Sequence, residues 1–98
     1  MTTSDMVQTA LKAVIDPEIG LNIVDLGLIY HIDITPTEIR VVMTLTTPGC
    51  PLHQDMQRAI YHILQALAPD KKIDLHLVWN PPWTPEHMTP SARAYLGL

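Results

Sequence analysis

Hydrophobic period changes from two to 3.6 across Thr47-Pro48-Gly49-Cys50-Pro51, and that change commits the chain to a fold mixing strands and helices. Upstream, Ile39, Val41, Met43 and Leu45 alternate with Arg40, Thr44 and Thr46, so Glu38 to Thr46 reads as a strand. Downstream, Leu52, Met56, Ala59, Ile60, Ile63, Leu64 and Leu67 recur at three- and four-residue spacing, which predicts a helix from Pro51 to about Ala68. Pro51 suits the first helical position, where its missing N–H costs nothing and its φ is already helical. Cys50 then stands at or beside the N-cap, facing unpaired backbone N–H groups and the positive end of the helix dipole. A thiolate gains from that setting. Gly49, lacking a Cβ, would let a partner approach the backbone closely. Two readings of Cys50 stay open at this point: a working thiol, or a small buried packing residue.

Composition narrows the class. Ninety-eight residues suit a single domain, 1–98, able to bury about two-thirds of its unfolded surface. Hydrophobic residues at 47% and charged residues at 16% describe a globular chain. No apolar run reaches the ~18 residues of a membrane span, and the N-terminus MTTSDMVQ lacks the regions of a signal peptide. One cysteine excludes an internal disulfide, so a reducing cytoplasm is the expected compartment. With a net charge of −4 and only six Lys and Arg, nucleic acid is a poor partner, because phosphate neutralisation supplies most non-specific affinity.

The chain opens with a helix, capped by Ser4 or Asp5 and running to about Ile15, whose apolar face is Val7, Ala10, Leu11, Val14 and Ile15. Asp16-Pro17 stops it. Asp16 and Glu18 share the following turn, where Asp16 can cap or start the turn and Glu18 has less obvious structural employment. Asp25 reads as a turn residue bonded to nearby backbone. Leu28 to Ile34 alternates as a strand, with Leu28, Tyr30, Ile32 and Ile34 on one face and Ile29, His31 and Asp33 on the other. Thr35-Pro36-Thr37 makes it a hairpin with the next strand. A third strand, Ile73 to Trp79, is expected to turn Ile73, Leu75, Leu77 and Trp79 inward. Joined through the long helix, it should lie parallel to the second strand. The expected fold is a two-layer α+β sandwich, helix-strand-strand-helix-strand-helix, with a small mixed sheet of about three strands and the helices on one face.

Ile29, Val42 and Val78 are expected on the other face, an apolar strip that a homodimer or another partner would cover. Pro81, Pro82 and Pro85 stiffen the segment after the third strand into an extended loop. Trp83 on it is a lid over the core edge or an exposed anchor, the lid being the commoner use of an indole. Thr89-Pro90 opens a last helix to about Leu96, with Gly97 beyond it. The five histidines are scattered; His31 and His76 take outward strand positions, and solvated surface is their expected setting.

Three strings, DPEIG with IVDLGLIY, MTLTTPGCP, and VWNPPWTPEHMT before SARAYLGL, resemble the SufT/PaaD-like iron–sulfur cluster assembly domain family over about Met6 to Leu98. The resemblance implies a fold similar to the C-terminal domain of NifU-type scaffolds. It also implies a pocket around Cys50 that includes Thr46 and Thr47, with Asp16, Glu18 and Ile19 from the acidic turn and Trp83 as one wall. A soft thiolate beside hard carboxylates suits transient contact with iron. No tightly bound cofactor is expected, and one thiol cannot hold a stable cluster, which usually takes four protein ligands. A second subunit or a client would complete it. No phosphate-binding glycine loop appears, which separates the chain from the ATPase-fused members. No cysteine-rich tail follows, so the stand-alone SufT type is the nearer match. Asn80 replaces the aspartate of the usual VWDPPW string, and that position loses an acid.

The implied role is an accessory factor in iron–sulfur cluster assembly or maturation of iron–sulfur proteins. It would work by contact with the assembly machinery and client proteins, and through Cys50, rather than by turnover of a small molecule. Two other readings are a thiol enzyme with Asp16 or Glu18 as base, and an adaptor docking through the open sheet face with a structural cysteine.

Overall fold

The computed structural model describes residues 3–17, 19–46 and 52–97, the side chains of Leu52 and His53 excepted. Helix α1 (Ser4–Leu11) is followed by strands β1 (Ile29–Ile34) and β2 (Glu38–Met43). Helix α2 (Leu52–Leu67), strand β3 (Lys72–Leu77), a 3-10 turn (Pro85–His87) and helix α3 (Pro90–Leu96) complete the order. The sheet runs β1-β2-β3, with β1 antiparallel to β2 and β2 parallel to β3. Helix α1 packs on α2 and on β1, and α2 on β3, so α1 and α2 form the second layer of the expected α+β sandwich. Val7 and Leu11 from α1, Ile39, Val41 and Met43 from β2, and Ile60 and Leu64 from α2 are fully buried between the layers.

Local chemistry sets the boundaries. Thr3, rather than Ser4 or Asp5, caps α1, its hydroxyl accepting the Met6 N–H at 3.2 Å. The helix also ends at Leu11, short of the expected Ile15. Beyond it the backbone finds other partners: Ile23 N–H donates to Val14 at 3.0 Å and Asp16 N–H to Leu21 at 2.9 Å. A bridge between Ile15 and Asn22 closes this small loop, and Ile15, expected on the apolar face, is 50% exposed. Val14 stays buried. Thr35 makes the hairpin turn, its hydroxyl accepting the Glu38 N–H at 3.0 Å, and Lys71 anchors the turn by donating to the Thr35 carbonyl at 2.6 Å. Thr89 caps α3 by accepting from Ala92, and Gly97 ends it in the left-handed conformation.

A bulge changes the faces of β1. Ile34, Asp33, Ile32 and His31 stand opposite Ile39, Arg40, Val41 and Val42, but Ile29, not Tyr30, stands opposite Met43. Tyr30 is the extra residue, and such an insertion shifts side-chain alternation by one. Ile29 therefore packs against the core instead of lining the outer face. The Tyr30 hydroxyl donates to the Pro81 carbonyl at 2.9 Å, and its ring lies 5.6 Å from that of His87. On β3, pairing stops at Leu77 with one last rung, Val78 N–H to the Met43 carbonyl at 2.8 Å. Leu77 and Trp79, expected inward, are 36% and 44% exposed.

The outer face is consequently more polar than its sequence suggests. Arg40 contacts Asp74 at 3.3 Å and Glu38 at 3.5 Å, and His76 meets Asp74 at 3.0 Å. The His76 hydrogen bond, with Arg40 beside it, holds the Asp74 carboxyl below its ordinary value. His31 and His76 are both exposed and flank Val42 from opposite sides, so they are not direct cross-strand neighbours.

The C-terminal segment is tied back onto the turn before β1. Gly27 has φ +77°, and a Cβ there would collide with the His87 carbonyl oxygen. No side chain fits that approach. Gly27→Ala is predicted to lower stability by about 2–4 kcal/mol, the left-handed penalty added to a backbone clash. Urea denaturation measures this, and an unchanged midpoint would contradict the packing described. Asp74→Asn tests the outer-face network: a depressed carboxyl stabilises the fold above its unfolded pKa and loses that contribution as pH falls through the folded value. The variant should therefore be less stable than the wild type at neutral pH, the difference vanishing as pH falls below the ordinary value of 3.8 and through the folded one.

Candidate functional site

The crossover from β2 through α2 to β3 fixes where chemistry can gather. Because β2 and β3 are parallel, their C-terminal ends lie at one end of the sheet, and α2 begins at that end. Thr46, half-buried, is the last described residue leaving β2, and Leu52 opens α2. Between them, Thr47, Gly49 and Cys50 lie outside the described residues, as does Glu18 in the acidic turn.

The acidic turn itself is built on Asp16. Its carboxylate accepts the Ile19 N–H at 3.3 Å, its carbonyl accepts the Gly20 N–H at 2.8 Å, and it is only 2% exposed. Such local bonds are what an aspartate ahead of a turn offers. Ile19 is half-buried and packs against the core. A cleft of about 260 Å³ has Ala13 to Ile15 and Pro17 on one wall, and Asp55, Met56 and Ala59 of α2 on the other. The acidic turn thus abuts the first two turns of α2. That proximity comes from the short α1 and the closed loop after it, neither of which hydrophobic periodicity reveals.

Trp83 packs against the turn before β1. Its Nε1 donates to the Leu26 carbonyl at 2.6 Å, and the half-buried indole packs on the core, the lid arrangement expected of it. The same turn is stiffened by Asn22, whose amide donates to Asp25 at 2.8 Å and accepts the Asp25 N–H at 2.9 Å. Asp25 is in this way a turn residue, and its carbonyl takes the Thr89 N–H at 2.9 Å. His87 Nδ1 accepts the Thr84 N–H at 3.0 Å, closing the 3-10 turn. Trp83, Tyr30, His87 and Thr89 together bind residues 80–89 to residues 25–30. Asn80 is exposed and joined to Pro81 by a cis peptide.

Sequence reasoning passed over Thr44. It reads there as one of the polar positions alternating along a strand, yet it is 0% exposed and its hydroxyl has no hydrogen-bond partner. A buried hydroxyl left unpaired costs about 1–3 kcal/mol. Only its place beside the strand end, two residues before Thr46, hints at employment.

Among the described residues no three His, Cys, Asp or Glu side chains converge as a metal site, and His31, His62 and His76 are exposed. No helix among them is long and apolar enough to cross a membrane.

Comparison with known proteins places these features. The family model described as "iron-sulfur cluster assembly protein" matches residues 4–75, which span α1 to β3. A Bacillus subtilis Fe-S protein maturation auxiliary factor, YitW, is 41% identical over 90 residues, covering 91% of this chain and 88% of its own. The Staphylococcus aureus Fe-S protein maturation auxiliary factor SufT is 36% identical, covering 87% of this chain and 98% of its own. A crystal structure of a domain of unknown function from Bacillus anthracis superposes with a TM-score of 0.88 at 35% identity, over 96% of this chain and 91% of that one. With a matched region running from the first helix to the last strand, the chain belongs to the iron–sulfur cluster assembly protein family.

Proposed function

We propose that this protein is an accessory factor in the maturation of iron–sulfur proteins, working through Cys50 and through contact with the assembly machinery and its clients. The observation that carries the reading is the likeness to YitW over nearly the whole length of both chains, joined to the family match across the fold. The chemistry at Cys50 is supported by two features. Helix α2 begins two residues after it, and the acidic turn abuts the first turns of that helix. A helix start favours a thiolate, and a thiolate is the form that binds iron or exchanges with a client cysteine. Asp16 and Glu18 supply negative charge near a cation in transit, and Thr46, Thr47, Gly49 and Ile19 line its approach. Trp83, pinned to Leu26, keeps one wall in place.

Iron, or a cluster, is cargo in this account. One thiol provides one of the roughly four ligands a cluster needs, so the others come from a second copy of the chain or from the client, and cargo stays only while both are engaged. A free thiol of this kind works in a reducing compartment, which makes the cytoplasm its place of action. In this reading the protein acts by contact and through Cys50 rather than by turnover of a small molecule.

In cells carrying Cys50→Ser, an iron–sulfur enzyme should lose activity under iron limitation, by about tenfold if the thiol carries one essential ligand contact. An iron-independent enzyme measured in the same cells should be unaffected. Unchanged iron–sulfur activity with Cys50→Ser, where deletion of the whole protein lowers it, would favour an adaptor whose cysteine is structural.

A further inference from the structure

We propose that the open edge of β3 pairs antiparallel with the same edge of a second copy, centred on Leu75, so that two three-stranded sheets join into one across a two-fold axis. The inference goes beyond the maturation role and rests on the geometry of the strand alone.

Register fixes what the edge offers. Lys72 N–H donates to the Thr37 carbonyl at 2.9 Å and Val78 N–H to the Met43 carbonyl at 2.8 Å, and pairing with β2 runs unbroken from Lys72 to Leu77. In a parallel ladder the N–H and C=O of one residue point the same way, and successive residues point to opposite sides. Lys72, Asp74, His76 and Val78 therefore face β2, while Ile73, Leu75 and Leu77 turn their backbone groups to the open edge. β3 is the last strand of the sheet, and among the described residues no turn or loop backbone group bonds to these three. Folded proteins usually blunt such an edge with a bulge, a proline or an inward-pointing charge. The opposite edge, β1, carries the bulge at Tyr30. β3 has no bulge and no proline, and its inward positions Ile73, Leu75 and Leu77 are all apolar. Leu77 is 36% exposed and Leu75 half-buried, so apolar surface remains to be covered along the edge.

The side chains select the occupant and its register. A two-fold axis normal to the sheet pairs inner-face residues with inner-face residues, so it must pass through one residue of the strand. Centred on Asp74, it would set two carboxylates directly opposite each other, which repel. Centred on His76, it would leave Ile73 outside the paired region. Centred on Leu75, every outward residue is matched: Leu75 meets its own counterpart and Ile73 meets Leu77 of the second copy, each pair exchanging two hydrogen bonds. On the outer face Asp74 then stands opposite His76 of the second copy, at both ends of the contact, as a complementary pair. Within one chain His76 already bonds Asp74 at 3.0 Å, with Arg40 at 3.3 Å, so the two-fold axis joins two such groups into one hydrogen-bonded cluster. The strand is thus complementary to itself in charge, in apolar contact and in backbone pairing at one register.

Sedimentation equilibrium and amide hydrogen exchange on the full chain test this. A contact between single strand edges is small, so the dimer should form with a Kd of about 10–100 µM. The amides of Ile73, Leu75 and Leu77 should exchange more slowly as concentration rises through that range. Leu77→Pro removes one outward donor from each copy and spares the ladder to β2. It should raise Kd by about thirtyfold, as for two ordinary hydrogen bonds, with the circular dichroism of the wild type. His76→Asp, which sets a carboxylate opposite Asp74, should weaken the dimer as well, and His76→Lys should preserve it. A wild-type chain still monomeric at about 1 mM would overturn the proposal and leave the edge to an extended strand of a client. Dimerisation unaffected by both Leu77→Pro and His76→Asp would also overturn it, as would a dimer in which the three amides stay unprotected. Every readout is taken on this protein alone, so failure of the maturation role and failure of the pairing are told apart.

Discussion

The parallel pairing of β2 and β3 is the constraint on which the rest of the molecule depends. Two parallel neighbours cannot be joined by a tight turn, so the chain must leave the sheet, cross its face as α2 and return. That crossing buries Ile60 and Leu64 against Ile39, Val41 and Met43. It also obliges a strand end and a helix start to meet within a few residues, and the cysteine is in that interval. A fold this small has few places where backbone N–H groups are left without intrahelical partners next to a rigid sheet end. Leu52 opens α2 at one of them, with the acidic turn beside the first turns of that helix.

A second constraint holds the other side of the turn before β1. Gly27 lets the His87 backbone approach closer than any side chain would permit, and Trp83, Tyr30 and Thr89 add hydrogen bonds around that contact. The proline-rich segment is therefore part of the frame. Its prolines reduce the freedom it would lose on docking, which makes a few directed hydrogen bonds sufficient to hold it. The bulge at Tyr30 serves the same contact by re-aiming one ring out of a strand whose other inward residues stay in the core.

What could be read from residues alone follows from which interactions are local. The three strands, the long helix, the hairpin turn and the short last helix all carry their signals within a few residues, in alternation, helical spacing, or a threonine followed by proline. The parallel pair followed from connection length. What could not be read depends on partners far along the chain. Alternation cannot show that Tyr30 is an extra residue, so Ile29 is assigned to the wrong face. Apolar spacing continues through Val14 and Ile15, but bonds to Leu21, Asn22 and Ile23 take the backbone out of the helix. Leu77, the last paired residue of β3, and Trp79 beyond it keep the inward pattern although both are exposed. At the site, Asp16 as a turn-former and Trp83 as a lid were legible from their chemistry. The approach of the acidic turn to α2 and the burial of the Thr44 hydroxyl were not, because each is set by packing between elements.

The account's central claim is that the thiol, and not the surface alone, serves maturation. The most direct measurement is reactivation of a purified apo iron–sulfur enzyme by a loaded cluster scaffold, with this protein added either untreated or alkylated at Cys50. The untreated protein should accelerate recovery, while the alkylated protein, still folded by circular dichroism, should leave the rate at that of the scaffold alone. Equal acceleration by both would contradict the claim and assign the activity to the protein's docking surface.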